Sequence, residues 1–328
     1  MRDLQATTTC RALRFPSWGG PEVLRIETVT APLPRPGEVR LRTLAAALNP
    51  KDVMVRKGRF RAASGRPPIV PGFDICGEVV ARGPGVQEPA IGDRVFAMLP
   101  GMRGGAMSEL VTLTAGRTAR VPAGLDDTTA AATPLAALTA LQALRNLGRV
   151  EHGRSVVING ASGGVGTFAI QIAALLGAQV TTLSSDRNRE LCRQLGAHQA
   201  LDYADREALG ELEFDVFFDV FGNRRMRQIR KWLAPDGVYI TTVPSARAVV
   251  SHLATSVSLG RRSRLVVVRH DDQDLAWIVA RLAEQRLHPV VDQVYPWTEA
   301  QAAYRQLETK HARGKIVLSF TDAPGISP

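Results

Sequence analysis

Val156-Val157-Ile158-Asn159-Gly160-Ala161-Ser162-Gly163-Gly164-Val165-Gly166 is the stretch whose reading decides the fold. The β-branched run reads as a buried strand and the glycine cluster as a tight turn. Residues 167–176 read as an apolar helix closed by Gly177. Strand, glycine turn and helix in that order make a cradle for a dinucleotide pyrophosphate. The helix N-terminus offers unpaired N–H groups and the positive end of its dipole, and glycines let the backbone approach where a Cβ would collide. The match to Gly-x-Gly-x-x-Gly carries Ala161 in first place, with Gly160 just before it, followed by Gly163 and Gly166. Gly160 through Gly166, with Ser162, Gly164 and Val165 between, are therefore expected to line the phosphates.

Downstream, strand-like and helix-like segments alternate. Residues 180–183, 214–220, 238–243 and 265–269 read as buried strands, and 188–195 as a helix stopped at Gly196. That alternation argues a doubly wound parallel sheet, an α/β fold. Upstream, Asp126-Asp127-Thr128-Thr129 offers caps for an Ala- and Leu-rich helix running to Leu147. The first third differs. Residues 23–29 and 38–44 alternate as half-buried strands, 77–81 and 93–97 look like further short strands, and Pro and Gly punctuate the whole. This is a compact antiparallel, barrel-like pattern. The tail, 290–320, holds a strand, a helix beginning near Thr298 and a last strand at 315–320.

Composition removes several classes. At 328 residues the chain has length for two domains. No run of about 18 apolar residues predicts a membrane span, and the N-terminal residues lack the apolar core of a signal peptide, so a cytoplasmic location is expected. The three cysteines, at 10, 76 and 192, are far apart and give neither a disulfide framework nor a zinc signature. The net charge of +10 suits an anionic ligand, but aromatics make up only 5% and none is interleaved with the basic residues, so nucleic acid is disfavoured. Arg224, Arg227 and Lys231 would share a helical face, and Arg261, Arg262 and Arg264 form a second cluster. Both read as solvated faces or a subunit rim. In the helical pattern of 246–259, Val249, Val250, Leu253 and Val257 recur as a core, pocket or subunit face.

The end of the second strand bears on which nucleotide is used. An NAD site usually places Asp or Glu there, bonded to the ribose hydroxyls. Here the position falls at Ser184, and Ser185, Arg187 and Arg189 follow. Small hydroxyls with nearby guanidiniums suit a 2′-phosphate, so NADPH is expected over NADH. Asp186, if turned inward, would oppose that choice.

Several ordered motifs carry a resemblance. They are Gly19-Gly20-Pro21-Glu22-Val23-Leu24, Ala47-Leu48-Asn49-Pro50-Lys51-Asp52, Pro71-Gly72-Phe73-Asp74 with Gly77-Glu78-Val79, Gly92-Asp93-Arg94-Val95, the glycine turn, Leu195-Gly196-Ala197 and His311-Ala312-Arg313-Gly314-Lys315. With them the chain resembles the zinc-free, quinone oxidoreductase-like branch of the medium-chain dehydrogenase/reductases, over almost its whole length. The resemblance implies a Rossmann NADP-binding domain, 126–270, inserted in a GroES-like, mainly β catalytic domain, 1–125 plus 271–328. It also implies a cleft between the two for the nicotinamide, and a homodimer. It places Tyr203, Phe221, Gly222, Val243 and Lys315 near the cofactor, and Asn49 and Asp52 beside the nicotinamide, with the Asn49 amide able to donate to a substrate carbonyl. Lys51 is a possible proton donor.

Zinc-dependent relatives carry Cys about where Asn49 stands and His-Glu where Phe73-Asp74 stand, and residues 99–110 lack the four-cysteine lobe. No metal is expected. Without a Lewis acid the easier task is hydride delivery to an acceptor already electrophilic, a quinone or a conjugated enone. An alcohol or carbonyl dehydrogenase, a biosynthetic enoyl reductase, and a non-catalytic nucleotide- or nucleic-acid-binding protein are the alternatives.

Overall fold

The computed structural model describes residues 8–205, 209–210, 213–255 and 260–321. Contacts divide the chain into two units. Met1–Leu135, His270–Ala283 and Val290–Pro328 form the first, and Ala136–Arg269 with Glu284–Pro289 the second.

In the first unit β1 (Thr9–Arg14) and β2 (Arg25–Thr30) form an antiparallel pair. A seven-stranded sheet is built around β3 (Glu38–Ala47), β4 (Asp74–Arg82), β5 (Arg94–Met98), β6 (Leu110–Thr114) and β7 (Thr118–Arg120). The long β3 pairs antiparallel with both β4 and β6 and buries Val39, Leu41 and Ala45 to Ala47 completely.

The second unit holds β8 (Ser155–Asn159), β9 (Gln179–Ser184), β10 (Gln199–Asp202), β11 (Phe214–Asp219), β12 (Leu233–Thr241) and β13 (Arg262–Leu265). All pairings are parallel, in the order β10-β9-β8-β11-β12-β13. The strand order reverses beside β8, and in open α/β sheets ligands gather outside the carboxyl ends at such a reversal. Val156, Val157 and Ile158 have no exposed surface, as a central strand covered on both faces requires. The chain then returns to the first unit, where β14 (Val291–Pro296) and β15 (Lys315–Ser319) extend the sheet from the edge of β3.

The structure differs from the sequence reading at several elements. The single helix expected from Asp126 to Leu147 is three pieces: Asp127–Ala131, Pro134–Leu141 and a π-helical turn Gln142–Leu147. Pro134 has no N–H and disfavours a helical Thr133, which ends the first piece. Residues 126–135 belong with the first unit, ten residues beyond the expected boundary, because the helix Asp127–Ala131 packs on β3 and β4. The last strand of the parallel sheet lies at Arg262–Leu265, earlier than 265–269. Its partner β12 ends at Thr241, Val266 N makes the final bond to Thr241 O, and Val267 is left exposed. Residues 256–259, including Val257, lie outside the described residues. Among the described residues no helix is long and apolar enough to cross a membrane.

Candidate active site and nucleotide cradle

In the second unit the glycine turn follows β8 directly. Gly160 has φ +81°, and a Cβ there would lie 3.0 Å from the Phe221 Cβ. Gly160 N and Ala161 N both donate to Leu183 O, at 3.1 and 3.3 Å, tying the turn to β9. A Cβ on Gly166 would sit 2.3 Å from Gly160 O and 2.5 Å from Ala161 O, so the helix Gly164–Leu175 rests directly on the turn. Its N-cap, Gly163, is extended, and no side chain caps the helix. The first-turn N–H groups therefore remain for an anion. At Gly163 a Cβ would have only Gly160 O near, at 3.5 Å.

Asn188 Nδ2 donates to Ser162 Oγ at 2.9 Å and to Ser185 Oγ at 3.0 Å, bringing the turn and the end of β9 together. The Asn188 Oδ1 is buried without a hydrogen-bond partner. A buried acceptor left without a donor costs about 1–3 kcal/mol. The uncapped helix start and the glycines with room only for backbone fit a dinucleotide phosphate, whereas the orphaned Asn188 acceptor calls for a hydroxyl or N–H donor.

Two of the four residues expected at the ribose are engaged elsewhere. Ser184 is 3% exposed and its hydroxyl donates to Ser185 O, because the end of β9 is buried on both faces. Arg189 donates through Nε to Ala200 O at 2.8 Å and pairs with Asp186 at 3.0 Å. Asp186 is thereby paired on the surface, Arg187 is exposed, and the Ser185 hydroxyl accepts from Asn188 Nδ2. Tyr203 is exposed and donates its N–H to Ser184 O.

Sequence reasoning missed the anchor of the next loop. Asp219, at the end of β11, is fully buried and accepts from Asn159 Nδ2 (2.7 Å), Gly222 N (2.9 Å), Arg224 N (2.9 Å) and the Tyr239 hydroxyl (3.0 Å). Burial, and then the Asp219 charge, push the Tyr239 phenol up. This carboxylate shapes the loop that puts Phe221 on Gly160 and Gly222 on Val243. An Asp closing an apolar, phenylalanine-rich strand three residues before a glycine was the available signal.

In the first unit Asn49 starts the helix Pro50–Arg56. Asp52, fully buried, accepts from Asn49 N at 2.7 Å and from Gly72 N at 2.9 Å. It clamps the helix start to the Pro71-Gly72 turn and uses both its oxygens to do so. Desolvation raises its pKa to about 7. In an unfolded chain an Asp releases its proton near pH ~4. Between those values the folded chain binds the extra proton, so this group's contribution to stability falls as pH rises from about 4 to 7 and levels off above. Asp52→Asn is expected to flatten that slope, seen as urea midpoints that change less between pH 5 and pH 8 than in the parent. An equal slope in the variant would assign it to other groups.

The Asn49 amide, expected from the resemblance to donate to a substrate carbonyl, is engaged within the protein. Its Nδ2 donates to Asp74 Oδ2 at 2.9 Å and, at 3.4 Å, to Ala47 O, while its Oδ1 accepts from Lys315 Nζ at 2.5 Å. Lys315 Nζ also meets Asp74 Oδ2 at 3.0 Å. The other Asp74 oxygen accepts from Leu135 N at 2.7 Å, a donor freed by the helix restart at Pro134. Lysine, amide and carboxylate form one buried network, with Lys315 and Asp74 4% and 0% exposed. Lys51 lies with Nζ 3.7 Å from the Phe73 ring centroid and donates to Gly101 O. Burial lowers its pKa.

This donor set does not fit zinc. Phe73 has no ligand atom, and the Asn49 and Asp74 oxygens already hold an ammonium. Among the described residues no group of three His, Cys, Asp or Glu could hold a metal ion.

Comparison with known proteins adds the following. The alcohol dehydrogenase GroES-like domain profile matches residues 35–123, and the zinc-binding dehydrogenase profile matches 195–318. A chloroplast envelope quinone oxidoreductase homolog of Arabidopsis thaliana is 31% identical over 94% of this chain and 97% of that protein. The solved quinone oxidoreductase from Coxiella burnetii superposes with a TM-score of 0.86 at 29% identity, covering 95% of this chain and 99% of that one. A solved NAD-dependent alcohol dehydrogenase gives a TM-score of 0.83 at 30% identity, covering 94% and 99%.

Proposed function

The chain belongs to the medium-chain dehydrogenase/reductase family of oxidoreductases, and from that premise we propose that it is an NADPH-dependent reductase. It transfers hydride to a quinone or activated alkene without a metal. The observation that carries this reading is the Lys315–Asn49–Asp74 network. A lysine ammonium is held by the residues that stand where zinc-dependent relatives place ligands.

The cofactor, when bound, supplies the hydride. Gly160 to Gly166 receive its pyrophosphate, Phe221, Gly222 and Val243 flank it, and Ser185 and Arg187 take the 2′-phosphate, with Tyr203 beside the adenosine. Asp52 fixes the segment from which Asn49 and Lys51 project. Asn49 acts as a positioning residue, since its amide orients Lys315 and Asp74. An ammonium has three protons, and Asn49 and Asp74 take two. The third, with the positive charge, is what this network offers the cofactor and the oxyanion forming on the acceptor. A quinone can take its remaining proton from solvent.

The test is nucleotide oxidation by chelator-treated protein, with NADPH and NADH followed separately against a simple quinone and a conjugated enone. Turnover that survives chelation and favours NADPH is the expected result, with Arg187→Glu shifting the preference toward NADH. Loss of turnover on chelation, restored by zinc, would overturn the metal-free reading. An NADH preference in the parent would overturn the phosphate assignment and favour the NAD-linked alternative.

A further inference from the structure

Two of the basic residues that the sequence leaves without a role, Arg224 and Arg227, meet Arg225 and Arg247 at one place. In the second unit a cavity of about 920 Å³ opens between the segment that leads into the helix Met226–Ile229 and the helix Ala246–Ala254. Tyr239, Thr241 and Ser263, from β12 and β13, also line it. Its volume lies in the range of small-molecule sites, roughly 300–1,000 Å³. Arg224, Arg225, Arg227 and Arg247 contribute to the lining, and no Asp or Glu does.

These arginines depart from the rest of the chain. Elsewhere guanidiniums are commonly matched, as in Arg11–Glu109, Arg42–Glu78, Arg94–Asp127 and Arg154–Asp215. Among the described residues, none of the four in the cavity has a carboxylate in ion-pair contact. The Arg224 Nε is also buried without any hydrogen-bond partner. Like charges gathered in a concave site repel one another, and a desolvated guanidinium N–H left unmatched is unfavourable. The nine-residue helix Ala246–Ala254 begins at this cavity with Ser245 as its cap, adding the positive end of its dipole.

We propose that this cavity binds a small organic anion carrying two or more phosphate charges, at a site separate from the glycine turn. It shares Gly222 and Val243 with the loops assigned to the cofactor, but its charged lining comes from residues that the cofactor does not use. Bidentate guanidinium–phosphate contacts need planar donors of this kind rather than lysines.

The experiment is calorimetric titration of the full chain with inorganic tripolyphosphate at low ionic strength, with and without saturating NADPH. One saturable site whose affinity is unchanged by NADPH is expected. The double variant Arg225→Glu/Arg247→Glu, altered at two exposed positions, is expected to weaken binding by about tenfold or more, since tenfold corresponds to about one lost charge-assisted hydrogen bond. Its NADPH affinity and melting temperature should match the parent. Unchanged tripolyphosphate binding in the variant would overturn the proposal. So would competition with NADPH, which would make the anion's site part of the nucleotide site. Preference for a single-stranded oligonucleotide over tripolyphosphate would also overturn it and assign this basic face to nucleic acid.

Discussion

Gly166→Ala is expected to destabilise the protein and abolish nucleotide binding together, whereas Gly163→Ala should abolish binding alone. The two positions are three residues apart at one helix start, yet their surroundings differ. A methyl at Gly166 would lie 2.3 Å from Gly160 O and 2.5 Å from Ala161 O, and neither backbone oxygen can swing aside. The helix must lift from the turn, an overpacking that costs about 1–3 kcal/mol or more. A shift of roughly 1 Å in the turn is enough for a loss on the order of 100-fold in a positioned interaction. At Gly163 the methyl meets nothing nearer than 3.5 Å, and the backbone is extended, which alanine adopts freely. The free protein should therefore fold with its parent melting temperature, while the methyl occupies the space a pyrophosphate needs. Thermal melts and fluorescence titration with NADPH separate the two effects. A Gly163→Ala protein that binds nucleotide as tightly as the parent would remove the phosphate from this turn.

That pair of glycines also shows what the sequence could say. The spacing Ala161-x-Gly163-x-x-Gly166, between a β-branched run and an apolar helix, made the parallel sheet and its cradle legible, because each constraint there is local. The reading weakened where a distant partner decided the outcome. Residues 265–269 are a good strand by composition, but β12 offers no edge beyond Thr241. Ser184 looks like a ribose ligand by position, but the buried end of β9 turns its hydroxyl inward. The helix break was readable from Pro134 alone, although its consequence, Leu135 N donating to Asp74, was not. The Lys315–Asp74 contact joins residues 241 apart in the chain. No pattern in either motif announces it, and only the placing of β15 beside β3 creates it.

The same contact yields the other large expected effect. Lys315→Met removes an ammonium from a network whose carboxylate has no access to water, leaving Asp74 charged and Asn49 Oδ1 without its donor. Breaking one side of a buried pair in this way costs about 3–5 kcal/mol, because the remaining charge keeps its desolvation penalty and loses its compensation. Adding Asp74→Asn to the Lys315→Met protein removes that stranded charge. The double variant should be more stable than Lys315→Met alone, so the cycle of four proteins should show a coupling of about 1 kcal/mol or more. Chemistry should not recover in parallel. If the ammonium stabilises the oxyanion on the acceptor, the double variant keeps a folded cradle and NADPH affinity but loses on the order of 10²–10³ in kcat. Urea unfolding, NADPH titration and turnover on the same four proteins therefore separate two roles of one lysine. Additive stabilities would mean the pair is not coupled. A double variant with parent turnover would leave Lys315 a structural cation and move the electrophilic role to Lys51, whose pKa burial lowers.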